Sequence, residues 1–172
     1  MSSSSAAPPL DADPALVDGL RFAMRRLAAS VSVVTLRDGK GAAGATVSAL
    51  CSLSFDPPSV LIALNQSGSV HDRLLAADTY AINILHADQQ DISRTFGQPN
   101  RTEDCFKPGE WEDVMGAPCL IGAQSTLVCR RAAELPHGSH RVIVGEVLWT
   151  RSRTEVDPLL YADGGYRRLS GI

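Results

Sequence analysis

Apolar and polar positions along the chain fall into short blocks, and their period changes from block to block. Leu16, Leu20, Met24 and Leu27 recur at helical spacing behind Asp13-Pro14, an N-cap residue followed by proline at the first helical position. This predicts one amphipathic helix from residue 14 to about residue 30. "VSVVTLR" (31–37) then reads as a strand, with Asp38-Gly39 as its turn. A second strand is expected over about 43–50. A third, "SVLIAL" (59–64), starts behind Pro57-Pro58. Ser69 and Asp72 resemble a capping box for a short helix through "VHDRLLAA". "TYAINIL" predicts a fourth strand, and "DQQDISRTFG" a short helix closed by Gly97.

Residues 98–118 are polar and carry Gly and Pro, so a long loop is expected there. "STLVCRRAAEL" and "HRVIVGEVLWTR" follow as two strands joined by "PHGS". "PLLYADGGYRRL" reads as a closing hairpin around Asp163-Gly164-Gly165. Strands joined by hairpin-like turns, without regular βαβ alternation, disfavour a doubly wound fold. The pattern predicts a mainly β protein, an antiparallel barrel with a few flanking helices.

Composition narrows this picture. The chain has 172 residues, 44% of them hydrophobic and 20% charged, which suits a single domain with an adequate core. We expect that domain over 13–172, behind a disordered Ser/Ala/Pro-rich tail at 1–12. The net charge of -3 supplies no basic field for nucleic acid or an anionic membrane. The pairs Arg25-Arg26, Arg130-Arg131 and Arg167-Arg168 read as solvated surface charge. The first residues lack the basic and apolar regions of a secretory signal, and no apolar run is long enough to cross a bilayer. A soluble, cytoplasmic protein is expected. Cys51, Cys105, Cys119 and Cys129 show neither zinc spacing nor a C-x-x-C pair, so reduced, mostly buried structural thiols are expected and no metal.

Candidate chemistry centres on "GATVSALCSLSFDPPSVLIAL" (44–64), where small residues and hydroxyls precede an apolar strand. On one strand Thr46, Ser48, Ser52 and Ser54 would share a face, with Val47, Ala49, Cys51 and Leu53 on the other. Two readings stand for that hydroxyl face. It meets solvent and backbone, or it meets the edge of a flat polar heterocycle, which small neighbours such as Ala45 and Ala49 would let approach. Ser67, Gly68 and Ser69 precede a short helix with Arg73 one turn in, either a simple cap or a phosphate site. His71 and His86 are expected at the surface. His140 is expected at the barrel rim, where it satisfies the turn or meets a ligand. No Ser-His-Asp set and no Gly-x-Gly-x-x-Gly is present, so hydrolysis and a Rossmann-type site lack support.

Taken in order, "SVSVVT", "GATVSALCSLSFDPPSVLIAL", "YAINIL", "ISRTFG", "HRVIVGEV" and "DPLLYADGGYRRL" resemble the short-chain flavin reductases. These are reductase components of two-component flavin-dependent monooxygenases. The likeness covers about residues 20–169. It implies a split β-barrel of the FMN-binding type, usually a homodimer, that uses NADH or NADPH to reduce FMN or FAD for a separate monooxygenase. By the same resemblance, Thr46, Val47, Ser48 and Ala49 line the isoalloxazine edge, and Ser52 and Leu53 continue toward the ribityl chain. Ser67, Gly68, Ser69 and Arg73 match the phosphate-side segment. Phe96 matches an aromatic position near the flavin, Tyr166 an aromatic position near the closing strand that is counted with the cofactor-binding residues, and His140 the histidine of a Gly-Asp-His motif associated with the nicotinamide nucleotide.

Three positions depart from that pattern: Ser48 stands where Asn is frequent, Ser139 replaces the motif Asp, and Cys105 replaces an Arg before Phe106. The second departure keeps open a flavin-binding electron carrier or sensor with little reductase activity. An interaction module without flavin is a third reading.

Overall fold

The computed structural model describes residues 13–98 and 103–171. The expected tail at 1–12 and part of the expected loop, 99–102, lie outside them. Helix α1 (Pro14–Met24) starts as its sequence predicts, with the Ala15 amide donating to Asp13 Oδ1 at 3.0 Å. It stops well short of residue 30. Strand β1 (Ala29–Ser30) pairs instead with a C-terminal strand, Ala29 opposite Tyr161 and Ser30 opposite Leu160. That tertiary pairing overrides the local helical pattern.

Strands β2 (Ser32–Asp38), β3 (Gly41–Val47), β4 (Leu50–Phe55) and β5 (Pro58–Asn65) follow, then α2 (His71–Ala76), β6 (Tyr80–Ile84) and α3 (Gln90–Gly97). After a 3-10 turn at Glu103–Phe106 come β7 (Trp111–Val114), β8 (Ala117–Leu120), β9 (Ser125–His137) and β10 (His140–Ser152). Strands β11 (Leu160–Ala162) and β12 (Gly165–Arg167) close the chain as the expected hairpin, with Asp163 and Gly164 at positive φ.

Seven antiparallel strands form the main sheet, in the order β3-β2-β6-β9-β10-β5-β4. The two ends of this sheet are consecutive in sequence. One core joins Ala43, Ala45 and Val47 of β3 to Val60, Ile62 and Leu64 of β5, so the sheet curls until its ends share an interior. Strand β2 is apolar on both faces because Val34 and Leu36 enter that core while Val33 enters a second one beneath α3, with Ile92, Phe96 and Leu120.

Four local expectations are corrected. The single strand over 43–50 is two strands, broken at Ser48 and Ala49, where the chain leaves β2 as partner and takes up β5. A β-bulge also interrupts β4 between Ser52 and Ser54, so the evenly spaced hydroxyls do not share one face. The loop expected at 98–118 contains the β7–β8 hairpin, turned by Met115 and Gly116 at positive φ. Asn83 pins that hairpin to the barrel by accepting from the Leu120 amide at 2.8 Å. Finally, Ser69 and Asp72 form no capping box. Helix α2 starts at His71 behind Val70, which is buried in the core, and no side chain caps it.

Candidate active site

A cleft of about 360 Å³ opens at the seam between the two ends of the sheet. Its size falls within the roughly 300–1,000 Å³ typical of small-molecule sites. One wall is the end of β3 and the crossing segment, Ala45 to Ala49. The facing wall is Ala63, Leu64 and Asn65 of β5, and the far end is formed by Gly68, Val70, His71 and His140. Gly97, the last residue of α3, also borders it. Ala45, Ala49, Ala63, Gly68 and Gly97 among the lining residues leave the space between the walls wide enough for a flat ring.

Strand β3 has a ladder partner only on its β2 side. In such an edge strand, alternate N–H and C=O groups point away from the partner. These groups, together with those of Ser48, can meet the polar edge of a planar heterocycle. The Thr46 hydroxyl is not among them, because it donates to the Ser93 carbonyl of α3 at 2.7 Å. Thr46 thereby ties α3 to the cleft wall and presents its backbone to the space.

The structure thus brings Thr46, Val47, Ser48, Ala49, Gly68 and His140 together around one cavity. Ser67 and Ser69 flank Gly68 at the exposed end, and the Ser67 amide and hydroxyl both donate to Asn65 Oδ1, at 3.0 and 2.9 Å. Five expected residues lie elsewhere. Ser52 borders a separate apolar groove with Leu50 and Cys51, and Leu53 is half exposed on β4, because the break at Ser48 carries β4 away from the cleft. Arg73 donates to both Asp38 carboxylate oxygens, at 2.7 and 2.8 Å, and to the Gly41 carbonyl, so its charge is spent on the β2–β3 turn. That contact holds the Asp38 carboxyl below its ordinary range, with help from the Lys40 amide. Phe96 is fully buried against Phe106 and Trp111, behind the wall rather than in it. The Tyr166 hydroxyl donates to Ser93 Oγ at 2.9 Å, which braces α3 from outside.

His71 is the residue that sequence reading missed. Both it and His86 are buried, not surface residues. His71 borders the cleft, with Nδ1 2.7 Å from Asp72 Oδ1 and with a buried Nε2 that makes no hydrogen bond. A carboxylate only accepts, so Nδ1 carries a proton in that pair. The available signal was Val70-His71 at the start of an apolar helical turn, which marks that face as inward. An unpartnered polar atom in the lining, an unladdered backbone edge and small-residue walls all suit a flat, polar, hydrogen-bonding ligand. Among the described residues no cluster of three metal-ligating side chains occurs, and no helix is long and apolar enough to cross a membrane.

Comparison with known proteins bears on the same residues. A family model described as "Flavin reductase like domain" matches residues 24–170. The chain is 36% identical over 172 residues to "FMN reductase (NADH) RutF" of Pseudomonas syringae, covering 98% of this chain and 96% of that protein. It is 35% identical to the reductase component of an FADH(2)-dependent resorcinol hydroxylase from Rhizobium, over 85% of this chain and 83% of that one. Among solved structures, the Streptomyces globisporus NADH:FAD oxidoreductase SgcE6, in complex with NAD and FAD fragments, superimposes with a TM-score of 0.85 at 29% identity. That match covers 92% of this chain and 95% of SgcE6. BorF, the flavin reductase component of a bacterial two-component tryptophan halogenase, matches with a TM-score of 0.82 at 27% identity, over 91% and 99% of the two chains.

Proposed function

The chain belongs to the flavin reductase family, and from that premise we propose that its seam cleft is where a reduced nicotinamide nucleotide reduces FMN or FAD. The enzyme is an NAD(P)H:flavin oxidoreductase that supplies reduced flavin to a separate monooxygenase. The observation that carries the site assignment is the meeting of an unladdered β3 edge, Gly68 and His140 around one small-walled cavity.

When bound, the flavin supplies the electron-accepting ring and the nicotinamide supplies the hydride. The backbone of residues 46–49 holds the polar edge of the ring, and its N–H groups stabilise the charge gained there on reduction. Gly68, with Ser67 and Ser69, faces the ribityl phosphate. His140, at the opening, hydrogen-bonds the nicotinamide nucleotide and sets its approach. No residue of the chain is required to move a proton for hydride transfer. The protein's contribution is positioning, since reactants held in near-attack geometry gain most of the available advantage.

NADH is the reductant we assign, since the FMN reductases among the relatives are named for it. The enzyme acts as a homodimer. Helix α1 buries none of its residues, yet it exposes Leu16, Leu20, Phe22 and Met24, and β4 exposes Leu53 and Phe55. A groove of about 600 Å³ runs between Leu27–Ser30 and β4. A second copy covers these apolar faces. Light scattering coupled to size exclusion checks this, and a monomer at micromolar concentration refutes it. Because the reduced nucleotide and flavin are cytoplasmic metabolites, we place the enzyme in the cytoplasm.

Steady-state turnover with each pair of nucleotide and flavin, followed at the reduced-nicotinamide absorbance, tests the assignment. Turnover that falls when Ala49 is replaced by Phe, with the melting temperature retained, supports the cleft. Tight flavin binding without turnover in any pair overturns it in favour of an electron carrier.

A further inference from the structure

We propose that Gln66 and Ser139 are positioning residues for His140, one fixing its backbone and the other its ring; this rests on the reading of His140 given above. His140 opens β10 at an exposed site. An exposed imidazole has little packing to select its rotamer, so hydrogen bonds must do so if the ring is to meet a nucleotide in one geometry.

The ring is held through Ser139, whose Oγ lies 2.9 Å from His140 Nδ1. A hydroxyl can donate or accept, so this contact persists in either tautomer. It occupies Nδ1 and leaves Nε2 for a ligand at the mouth of the cleft, which His140 borders.

The backbone is held through Gln66, which donates to three successive carbonyls. Its side-chain amide reaches the Gly138 carbonyl at 2.9 Å and the His140 carbonyl at 3.3 Å, while its main-chain N–H reaches the Ser139 carbonyl at 2.9 Å. Both side-chain contacts are to acceptors, so the amide nitrogen must face the turn. Gly138 takes a φ of +54°, the left-handed conformation that lets the chain reverse between β9 and β10. Gln66 immediately follows Asn65, which is paired with His140 across the β5–β10 ladder, and precedes the Ser67-Gly68 segment. The turn that carries the nicotinamide-side histidine is therefore clamped to the loop that carries the phosphate-side residues.

The test is a double-mutant cycle read in the NADH KM, kcat and the FMN dissociation constant. Ser139→Ala and Gln66→Ala are each made alone and with His140→Ala. Each single change is expected to raise the NADH KM about three- to tenfold, the size of one or two hydrogen bonds. The kcat at saturating NADH and the FMN affinity should stay within twofold. Ser139→Thr, which keeps the hydroxyl, should restore the parent KM. In the His140→Ala background both changes should add less than twofold, because they act through a ring that is no longer there. Equal effects with and without His140 would show a merely structural role and overturn the proposal. So would a parent-like KM in Ser139→Ala and Gln66→Ala when His140→Ala raises it. If His140→Ala itself leaves the KM unchanged, the reading of His140 falls, and this proposal falls with it.

Discussion

Replacing Gly44 by Ala probes the wall behind the cleft. A Cβ at Gly44 would lie 2.6 Å from Phe96 Cε1 and 2.9 Å from both Phe96 Cδ1 and the Val34 carbonyl oxygen. Carbon atoms in good contact sit about 3.5–4.0 Å apart, so the new methyl would overlap the ring by roughly 1 Å. The ring cannot easily yield. Phe96 is fully buried, edge-on to Phe106 at 5.0 Å between centroids and 5.5 Å from Trp111. The carbonyl is main chain of β2 and is fixed by the sheet. Overpacking of this kind costs about 1–3 kcal/mol. For a chain of this length, that lowers the melting temperature by about 2–12 °C. Urea unfolding, with the slope checked for constancy, measures the loss. In a Phe96→Leu background the ring edge is gone and only the carbonyl contact remains, so the same change should cost less than half as much. A Gly44→Ala protein as stable as the parent would refute the argument. So would an undiminished cost beside Phe96→Leu, because Phe96 would then not be the element that packs against β3.

Three further outcomes follow from charges and thiols. Asp38 and Asp157 have carboxyls lowered first by hydrogen bonds from Arg73 and Arg168, so their stabilisation is present above the ordinary Asp pKa of about 4 and is lost as pH falls through their lowered values. The urea midpoint should therefore drop below about pH 4 and drop less in Asp38→Asn, and a midpoint unchanged down to pH 2 would contradict this. Burial pushes the Cys119 thiol up to about 11 and the Cys129 thiol up to about 12, Cys105 is also buried, and Cys51 is exposed. Mass spectrometry after brief alkylation of the native protein should show one modified thiol at Cys51, and equal labelling of Cys129 would refute the burial. Arg73→Ala should lower the melting temperature through the freed β2–β3 turn and leave the ratio of FMN to riboflavin affinity within twofold; selective loss of FMN affinity would restore the phosphate role implied by the resemblance.

Much of the barrel is legible because its strands are apolar for physical reasons that act locally. The run of β2 is buried on two faces, and the turns at Asp38 and at Asp163-Gly164 carry residues that tolerate their conformations. The break at Ser48 and Ala49 is not legible. Small residues continue from 42 through the break to 49, and only the change of partner from β2 to β5 separates the strands. The β7–β8 hairpin is hidden for another reason. Its strands have four residues each, too few to show a period, and one of its fixed contacts is the distant Asn83. The site divides the same way. Residues 46–49, Gly68 and His140, singled out at strand ends and turns, are brought together around one cavity. The contacts of Arg73 and Phe96 with Asp38, Gly41 and Gly44 are not legible, because the folded sheet sets where those partners lie.

The location of the cleft follows from the order of strands. In a fully closed barrel the β3 edge would be spent on a neighbouring strand, and no row of backbone groups would remain for a ligand. Here the chain passes from one end of the sheet to the other through Ser48 and Ala49, and β4 runs on along β5 rather than turning back along β3, so no ladder joins β3 to β4. The seam they leave is lined by Ala45, Ala49 and Ala63, and the Ala63 amide donating to the Ala49 carbonyl at 3.1 Å fixes its width at the crossing. A larger side chain at any of these three positions would fill the space without breaking a strand. The small residues that weaken β3 as a strand are thus also the ones that keep its free edge reachable.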